Sequence, residues 1–526
     1  MSEGHSIFPQ QPRYAGHPCS PCVASKMNTN TLKKARILVV SFDGLRPDLV
    51  VPELMPNLCR LRELGLTLSN HRTVYPSETR TGFPSLVTGA PVGAHGMVGN
   101  QYLDRFTVPP RLMDTADAEL LRTLDVESGG QLMSVPSLGE ILASVGLSLA
   151  VIATNTPGTT RLFNHKAEDL GHIRLSGHYR ESCTPLAVLA KVEEHIGPMP
   201  PAPPPDEPDT LGQSWITSAF LDVVWPRYQP DVTILSFGEP DITSHFHGTA
   251  AQATRQIIRH CDHEFGRVLD WWQSEGREAG VQILATSDHG HVTGHTSVSV
   301  ADSLREAGFH PAFELGAGVD VLIVPGQVGA LYLAAPNDAQ IVKLVAAISG
   351  MPWCGPIFTR AKSMTEGIAL GSLPHHLVFA AHPRAPDVSF SFRADDDLDP
   401  FGLVGRTFYD SERRPGLGLH GGLHPKEMAT VGIAAGSLIK LTGTVSTAPS
   451  GICDWAPTML HVLGIEPPPS MQGRILHELF DHRPRLKSKI DAQMETFEAK
   501  LGSYTQVLRR VRYESRTYVE SGTAVG

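Results

Sequence analysis

The chain has 526 residues, a net charge of −10 and a pI near 6.2. Apolar residues make up 41% and charged residues 19%, the balance of a globular protein with a large core. The length predicts several domains or one domain with insertions, and the acidic charge argues against non-specific binding to nucleic acid or to an anionic membrane surface.

Residues 1–34 read as a disordered N-terminal extension. They lack the 7–15-residue apolar stretch of a signal peptide, so the expected location is cytoplasmic, with Met27 as an alternative start. The extension holds a lone Cys19-x-x-Cys22, expected to be inert. The other cysteines, Cys59, Cys183, Cys261, Cys354 and Cys453, are scattered, which argues against a disulfide framework. No apolar run approaches the roughly 20 residues of a membrane helix.

"ARILVVSFDG" at 36–44 is a continuous apolar run ending in Asp and Gly, the pattern of a buried parallel strand leaving into a loop. Segments 66–74, 147–154, 231–241 and 281–290 repeat it, and helix-like stretches such as 55–65 and 257–276 separate them. Alternating strands and helices predict an α/β fold with a mostly parallel sheet flanked by helices. The proline-dense "GPMPPAPPPDEPDT" at 197–210 is an exposed loop. The core is expected at 35–295 and 415–480. Between its parts, 296–414 reads as an inserted α+β subdomain with three strands and a helix near 338–349. Residues 481–526 read as a charged amphipathic helix and tail, a candidate surface for a homo-oligomer.

Ligands of such sheets bind at the carboxyl ends of the strands. Those ends carry Asp43, Asp241 and the pair Asp288–His289, with His245 one helical turn after Asp241. His420 lies in the glycine-rich "GLGLHGG". Three Asp and three His converging at one edge would form an oxygen–nitrogen site for divalent metal, with Zn²⁺ favoured and Mn²⁺ or Fe²⁺ as alternatives. Each residue also has a plainer role: an Asp after a strand often caps a helix. Their agreement across three strand ends favours the metal site. "VYPSETRTGFPSLVTG" at 74–89 crowds hydroxyl groups beside Arg80 where a helix begins. A hydroxyl there could serve as a metal-activated nucleophile at a phosphate-binding helix N-terminus.

These segments resemble the alkaline phosphatase superfamily, within it the nucleotide pyrophosphatase/phosphodiesterase branch. The matching stretches, in the family's order, are "VVSFDGLRPDL", "YPSETRTGFPSLVTGAPVGAHGMVGN", "GEPDITSHFHG", "TSDHGH", "GLHGG" and "ICDWAPTMLHVLGI". The resemblance implies an alkaline-phosphatase-like fold and two metal ions. One would be held by Asp43, Thr79, Asp288 and His289, the other by Asp241, His245 and His420, with His424 the competitor for the last position. It implies Thr79 as nucleophile, through a phospho-threonine intermediate, and Asn100 as a hydrogen-bond donor to a phosphate oxygen. The implied substrate is a small-molecule phosphate diester or pyrophosphate. One departure matters: the residue after the nucleophile, usually aromatic in this branch, is Arg80. An inward guanidinium would suit a more anionic substrate, a phosphomonoester or a phosphonate such as phosphonoacetate. "LHGGLH" also resembles the phosphonoacetate hydrolase relatives.

Overall fold

Four of the five apolar runs that end in polar turns build the centre of the molecule; the fifth, 66–74, is broken by a turn at Ser69–Asn70 into Leu66–Leu68, next to one edge of the largest sheet, and His71–Arg72 in a separate two-stranded sheet. A computed structural model of the chain describes residues 34–482 and 490–526. Its largest sheet has eight strands, in the order Thr444–Ser446, Leu66–Leu68, Gly432–Ala435, Val281–Thr286, Arg36–Asp43, Val232–Pro240, Leu149–Ala153 and Ile173–Ser176. Arg36–Asp43 is parallel to both strands beside it, and so is Leu149–Ala153. Gly432–Ala435 is antiparallel to its two neighbours. The expected α/β fold with a mostly parallel sheet is the fold observed.

Alternation along one strand explains the layers. Leu38, Val40 and Phe42 face one side, where they join Phe237, Ile258 and Phe265. Ile37 and Val39 face the other, against Phe83, Leu86 and Trp455. The long helix Gln252–Trp271 therefore covers one face, and the helix Thr79–Thr88 covers the other. Because the central strands are parallel, Asp43, Asp241 and Asp288 emerge at the same edge.

Residues Lys34–Gly526 form one compact unit. Within it the 296–414 segment supplies all six strands of a second sheet: Pro311–Ala312, Val321–Val324, Gly329–Leu333, Val388–Phe392, Cys354–Thr359 and Leu373–Pro374. The helix expected near 338–349 is Asp338–Ser349. A four-stranded sheet runs Ala394–Leu398, Val404–Tyr409, Val292–Ser297 and Gly418–Leu419, and so carries the end of the "TSDHGH" turn to the His420 loop.

The C-terminal expectation is wrong. Instead of a helix there is a three-stranded antiparallel meander, Ala492–Leu501, Tyr504–Tyr513 and Arg516–Val525. Lys, Glu, Ala and Leu favour helix locally, but tertiary packing overrides so weak a preference. Two-residue turns close both hairpins, with Gly502 at φ 61° and Glu514 at φ 53°. Alternate residues Tyr504, Gln506 and Leu508 turn inward. Gln506 lies against Ile357, accepting from its N–H at 2.9 Å and donating to its carbonyl at 2.9 Å. The helical dimer face expected here therefore does not exist. The N-terminal extension with Cys19, Cys22 and Met27 lies outside the described residues. The other five cysteines are free thiols, and no helix among the described residues is long and apolar enough to cross a membrane.

Candidate metal centre

The hydroxyls of the turn at 74–81 have different tasks. Ser77 donates to the Gly422 carbonyl at 2.8 Å and accepts from the Gly421 N–H at 3.0 Å. Thr81 donates to the Pro76 carbonyl at 2.6 Å. Both are committed to backbone. Thr79, the first residue of its helix, instead points its Oγ1 at side chains: His289 Nε2 at 3.1 Å and Asp43 Oδ1 at 3.4 Å.

Two groups of ligand-type side chains meet at the strand ends. Asp43, Asp288 and His289 offer atoms within 4.8 Å of one another, as do Asp241, His245, His291 and His420. His289 Nε2 lies 3.3 Å from Asp288 Oδ2 and 3.6 Å from Asp43 Oδ1, and 4.0 Å from Asp241 Oδ1 it joins the two groups. The backbone orients the imidazoles. The Nδ1–H of His289 donates to the Gly290 carbonyl, that of His245 to Gly418 and that of His420 to Ser77, at 2.8–2.9 Å. A carbonyl only accepts, so each ring presents a bare Nε2 to the centre.

Every residue named from sequence for the two ion sites is thus brought to one place. His424 is not: its Nε2 meets Asp396 at 3.1 Å and its Nδ1 accepts from the Lys426 N–H. Two neighbours were missed. Asn155 follows the strand Leu149–Ala153 and donates to Asp43 Oδ2 at 2.7 Å, its own Oδ1 held by Ser236. Its signal was the polar "ATN" at another parallel strand end. His291 was overlooked although "TSDHGH" contains it.

The electrostatics ask for cations. Burial, then the Asp288 and Asp241 charges, push Asp43 well above the usual carboxylate range. Burial raises Asp288 to about 7. Burial also opposes the charge on Asp241, yet His245 and the other imidazoles hold its carboxyl well below its ordinary value. His289 is lowered to about 4 by burial and stays a neutral donor. Asp241 Oδ1, Asp288 Oδ2 and His291 Nε2 are buried without a hydrogen-bond partner among the described residues. Crowded carboxylates, bare imidazole nitrogens and orphaned acceptors fit two divalent ions, which would supply the missing positive charge.

Around Thr79 the chain adds donors. Asn100 Oδ1 accepts from the Arg80 N–H at 3.1 Å, and the Asn100 N–H donates to Glu78 at 2.6 Å. The Asn100 amide NH₂ makes no hydrogen bond among the described residues. Arg80 donates from Nε to Thr115 at 2.9 Å, and its two Nη groups make no hydrogen bond among the described residues.

A family model for type I phosphodiesterase/nucleotide pyrophosphatase matches residues 37–390. Bis(5'-adenosyl)-triphosphatase enpp4 of Xenopus laevis is 33% identical over 72 residues, 14% of this chain and 16% of that protein. The Mus musculus protein of the same name is 32% identical over 82 residues, 16% of this chain and 18% of that protein. The chain thus spans less than a fifth of the length of these curated relatives in the matched stretch. An inactive form of murine ectonucleotide pyrophosphatase/phosphodiesterase 5 with AMP superposes with TM-score 0.56 at 16% identity, covering 85% of this chain and 100% of that one. Phosphonoacetate hydrolase from Sinorhizobium meliloti with phosphonoformate gives 0.57 at 17% identity, covering 82% and 96%. At such identities the likeness speaks to the fold alone.

Proposed function

The chain belongs to the type I phosphodiesterase/nucleotide pyrophosphatase family, and from that premise we propose that it is a two-metal hydrolase of small phosphate diesters or pyrophosphates, acting through Thr79. The observation that carries the reading is the Thr79 hydroxyl, set at a helix N-terminus and aimed at His289 and Asp43 while its hydroxyl neighbours are tied to backbone. Asp43, Thr79, Asp288 and His289 would hold one ion, and Asp241, His245 and His420 the other. Zn²⁺ suits the imidazoles best. When bound, such ions lower the pKa of a hydroxyl or water and neutralise charge on the transferring phosphoryl group.

The Thr79 hydroxyl gives up its proton and its Oγ forms a bond to phosphorus as the bond to the leaving oxygen breaks, and the leaving oxygen takes up one proton, so that the step is proton-neutral. Water then attacks the phospho-threonine, the Oγ–P bond breaks and phosphate or a phosphomonoester departs. Asp43 is steadied for this by Asn155. Asn100, held by Glu78 and by the Arg80 N–H, donates its amide to a non-bridging oxygen. The test is rapid acid quenching during turnover and mass spectrometry of the peptide bearing Thr79. A phosphate on Thr79 is expected, absent in Thr79→Ala. Full turnover in Thr79→Ala refutes the assignment.

Arg80 favours a second reading. Burial works against its charge, and Asp114, Glu78, Asp43 and Asp241 help retain it. With Nε fixed, its Nη groups could take a carboxylate or a second phosphate oxygen, as a phosphonate or phosphomonoester would offer. The AMP and phosphonoformate in the two structural relatives fit one reading each. Turnover of bis-p-nitrophenyl phosphate, p-nitrophenyl phosphate and phosphonoacetate by wild type and Arg80→Ala separates them. Preference for the diester, little changed in the variant, supports the first. Preference for an anionic substrate lost with Arg80 supports the second.

A further inference from the structure

The two-metal reading gives the second ion three protein ligands, Asp241, His245 and His420. Resting on that reading, we propose that His291 is its fourth ligand, which makes the second site an Asp–His₃ cage formed wholly by the chain.

The geometry is that of a tetrahedron. Donors about 2.0–2.1 Å from a tetrahedral zinc lie about 3.3 Å from one another. His291 Nε2 is 3.1 Å from Asp241 Oδ1, and His245 Nε2 is 3.1 Å from His420 Nε2. Asp241 Oδ1 is 3.4 Å from His245 Nε2 and 3.5 Å from His420 Nε2. The four atoms lie within 4.8 Å of one another throughout.

The backbone prepares His291 as it prepares the other rings. Its Nδ1–H donates to the Gly44 carbonyl at 2.8 Å, so Nε2 carries a lone pair. That lone pair faces Asp241 Oδ1, also an acceptor, and both atoms are buried without a hydrogen bond. Two acceptors held 3.1 Å apart need a cation between or beside them. Gly44 makes room for the ring. Its φ is 67°, and a Cβ there would stand 2.3 Å from His291 Cε1. The strand register sets the last part of the placement: Val292 pairs with Leu419, which brings the preceding His291 beside the following His420.

The consequence is a chemical difference between the ions. Three imidazoles and one carboxylate favour Zn²⁺, whereas the other group, with one imidazole, two carboxylates and a hydroxyl, tolerates a harder ion such as Mn²⁺.

The test uses the full chain, stripped of metal and reloaded. Wild type with histidine nitrogen labelled is loaded with a spin-active cadmium isotope, and the ring nitrogens scalar-coupled to each cadmium are counted. Three Nε2 atoms on one cadmium and one on the other are expected. Two on one and one on the other overturn the inference and leave the two-metal reading standing; no coupled histidine overturns that reading as well. In parallel, a chromophoric chelator competes for zinc with wild type, His291→Ala and His291→Gln. Weakening of the second ion by about 10–100-fold in both variants is expected. Unchanged affinity in a folded variant refutes ligation by His291. Should neither variant fold, the count on wild type decides.

Discussion

Ser77→Ala and Thr79→Ala each delete one hydroxyl, two residues apart on one turn, and should have opposite effects. Ser77 is fully buried, and its hydroxyl both donates to the Gly422 carbonyl and accepts from the Gly421 N–H. Its removal strands two buried backbone groups. At about 1–3 kcal/mol for each unsatisfied group, and allowing for partial relaxation, the loss of stability is about 2–4 kcal/mol. The damage also reaches the metal centre, because the Ser77 carbonyl orients His420 through Nδ1 at 2.9 Å. Thr79 satisfies no backbone group; its hydroxyl touches only His289 and Asp43. Thr79→Ala should cost on the order of 1 kcal/mol, mainly a lost methyl contact, while turnover falls at least about 10³-fold. Urea unfolding of the metal-free variants, followed by circular dichroism, measures the first quantity. Initial rates on a chromogenic diester at saturating metal measure the second. Equal stability losses in the two variants would refute the division of labour, as would a Thr79→Ala enzyme that turns over normally.

Acid should weaken the fold through a buried histidine that belongs to neither candidate ligand group. His95 is buried, accepts at Nδ1 from the Met97 N–H and donates from Nε2 to Ser85. Burial, with some help from His382, lowers it to about 3. The unfolded chain binds that proton near pH 6.5 and the folded one does not, so stability is intact above about pH 6.5 and is lost as pH falls from there toward about 3. At about pH 5.5 the loss from this one residue is about 1.4 kcal/mol. His95→Asn should therefore show a smaller fall in unfolding free energy between about pH 7.5 and 5.5 than wild type, although it is less stable at neutral pH; an unchanged fall removes His95 as the cause. Gln506→Ala should loosen the C-terminal meander. It deletes bonds to the Ile357 N–H and carbonyl and a third, at 2.7 Å, to the Gly371 carbonyl. A loss of roughly 2–4 kcal/mol in urea unfolding is expected, and a loss under about 0.5 kcal/mol would show that the strands are held by apolar contacts alone.

The sequence by itself determined most of the central sheet and which ligand-type side chains lie at its carboxyl edge. Buried parallel strands must be apolar throughout and must end in polar turns, so "ILVVSFD" and the runs at 147–154, 231–241 and 281–290 marked both the strands and the edge where Asp43, Asp241 and Asp288 meet. The turn at 74–81 was legible as a helix start because position in a turn is a local property, but only the resemblance to the family singled out Thr79 among its hydroxyls. Local signals failed where partners far along the chain decide. Tyr504–Tyr513 became a strand because Gln506 and Leu508 meet residues more than a hundred positions earlier, a constraint that helix propensity does not contain. His420 and His424 both follow leucine, but only His420 precedes glycine, as in the family it resembles; in space the long-range hydrogen bond to Ser77 holds His420 at the centre while Asp396 draws His424 away. His291 took its place from the pairing of Val292 with Leu419 and from the room beside Gly44. Ligand type is written in the residue; convergence of ligands from remote strands is a property of register and packing.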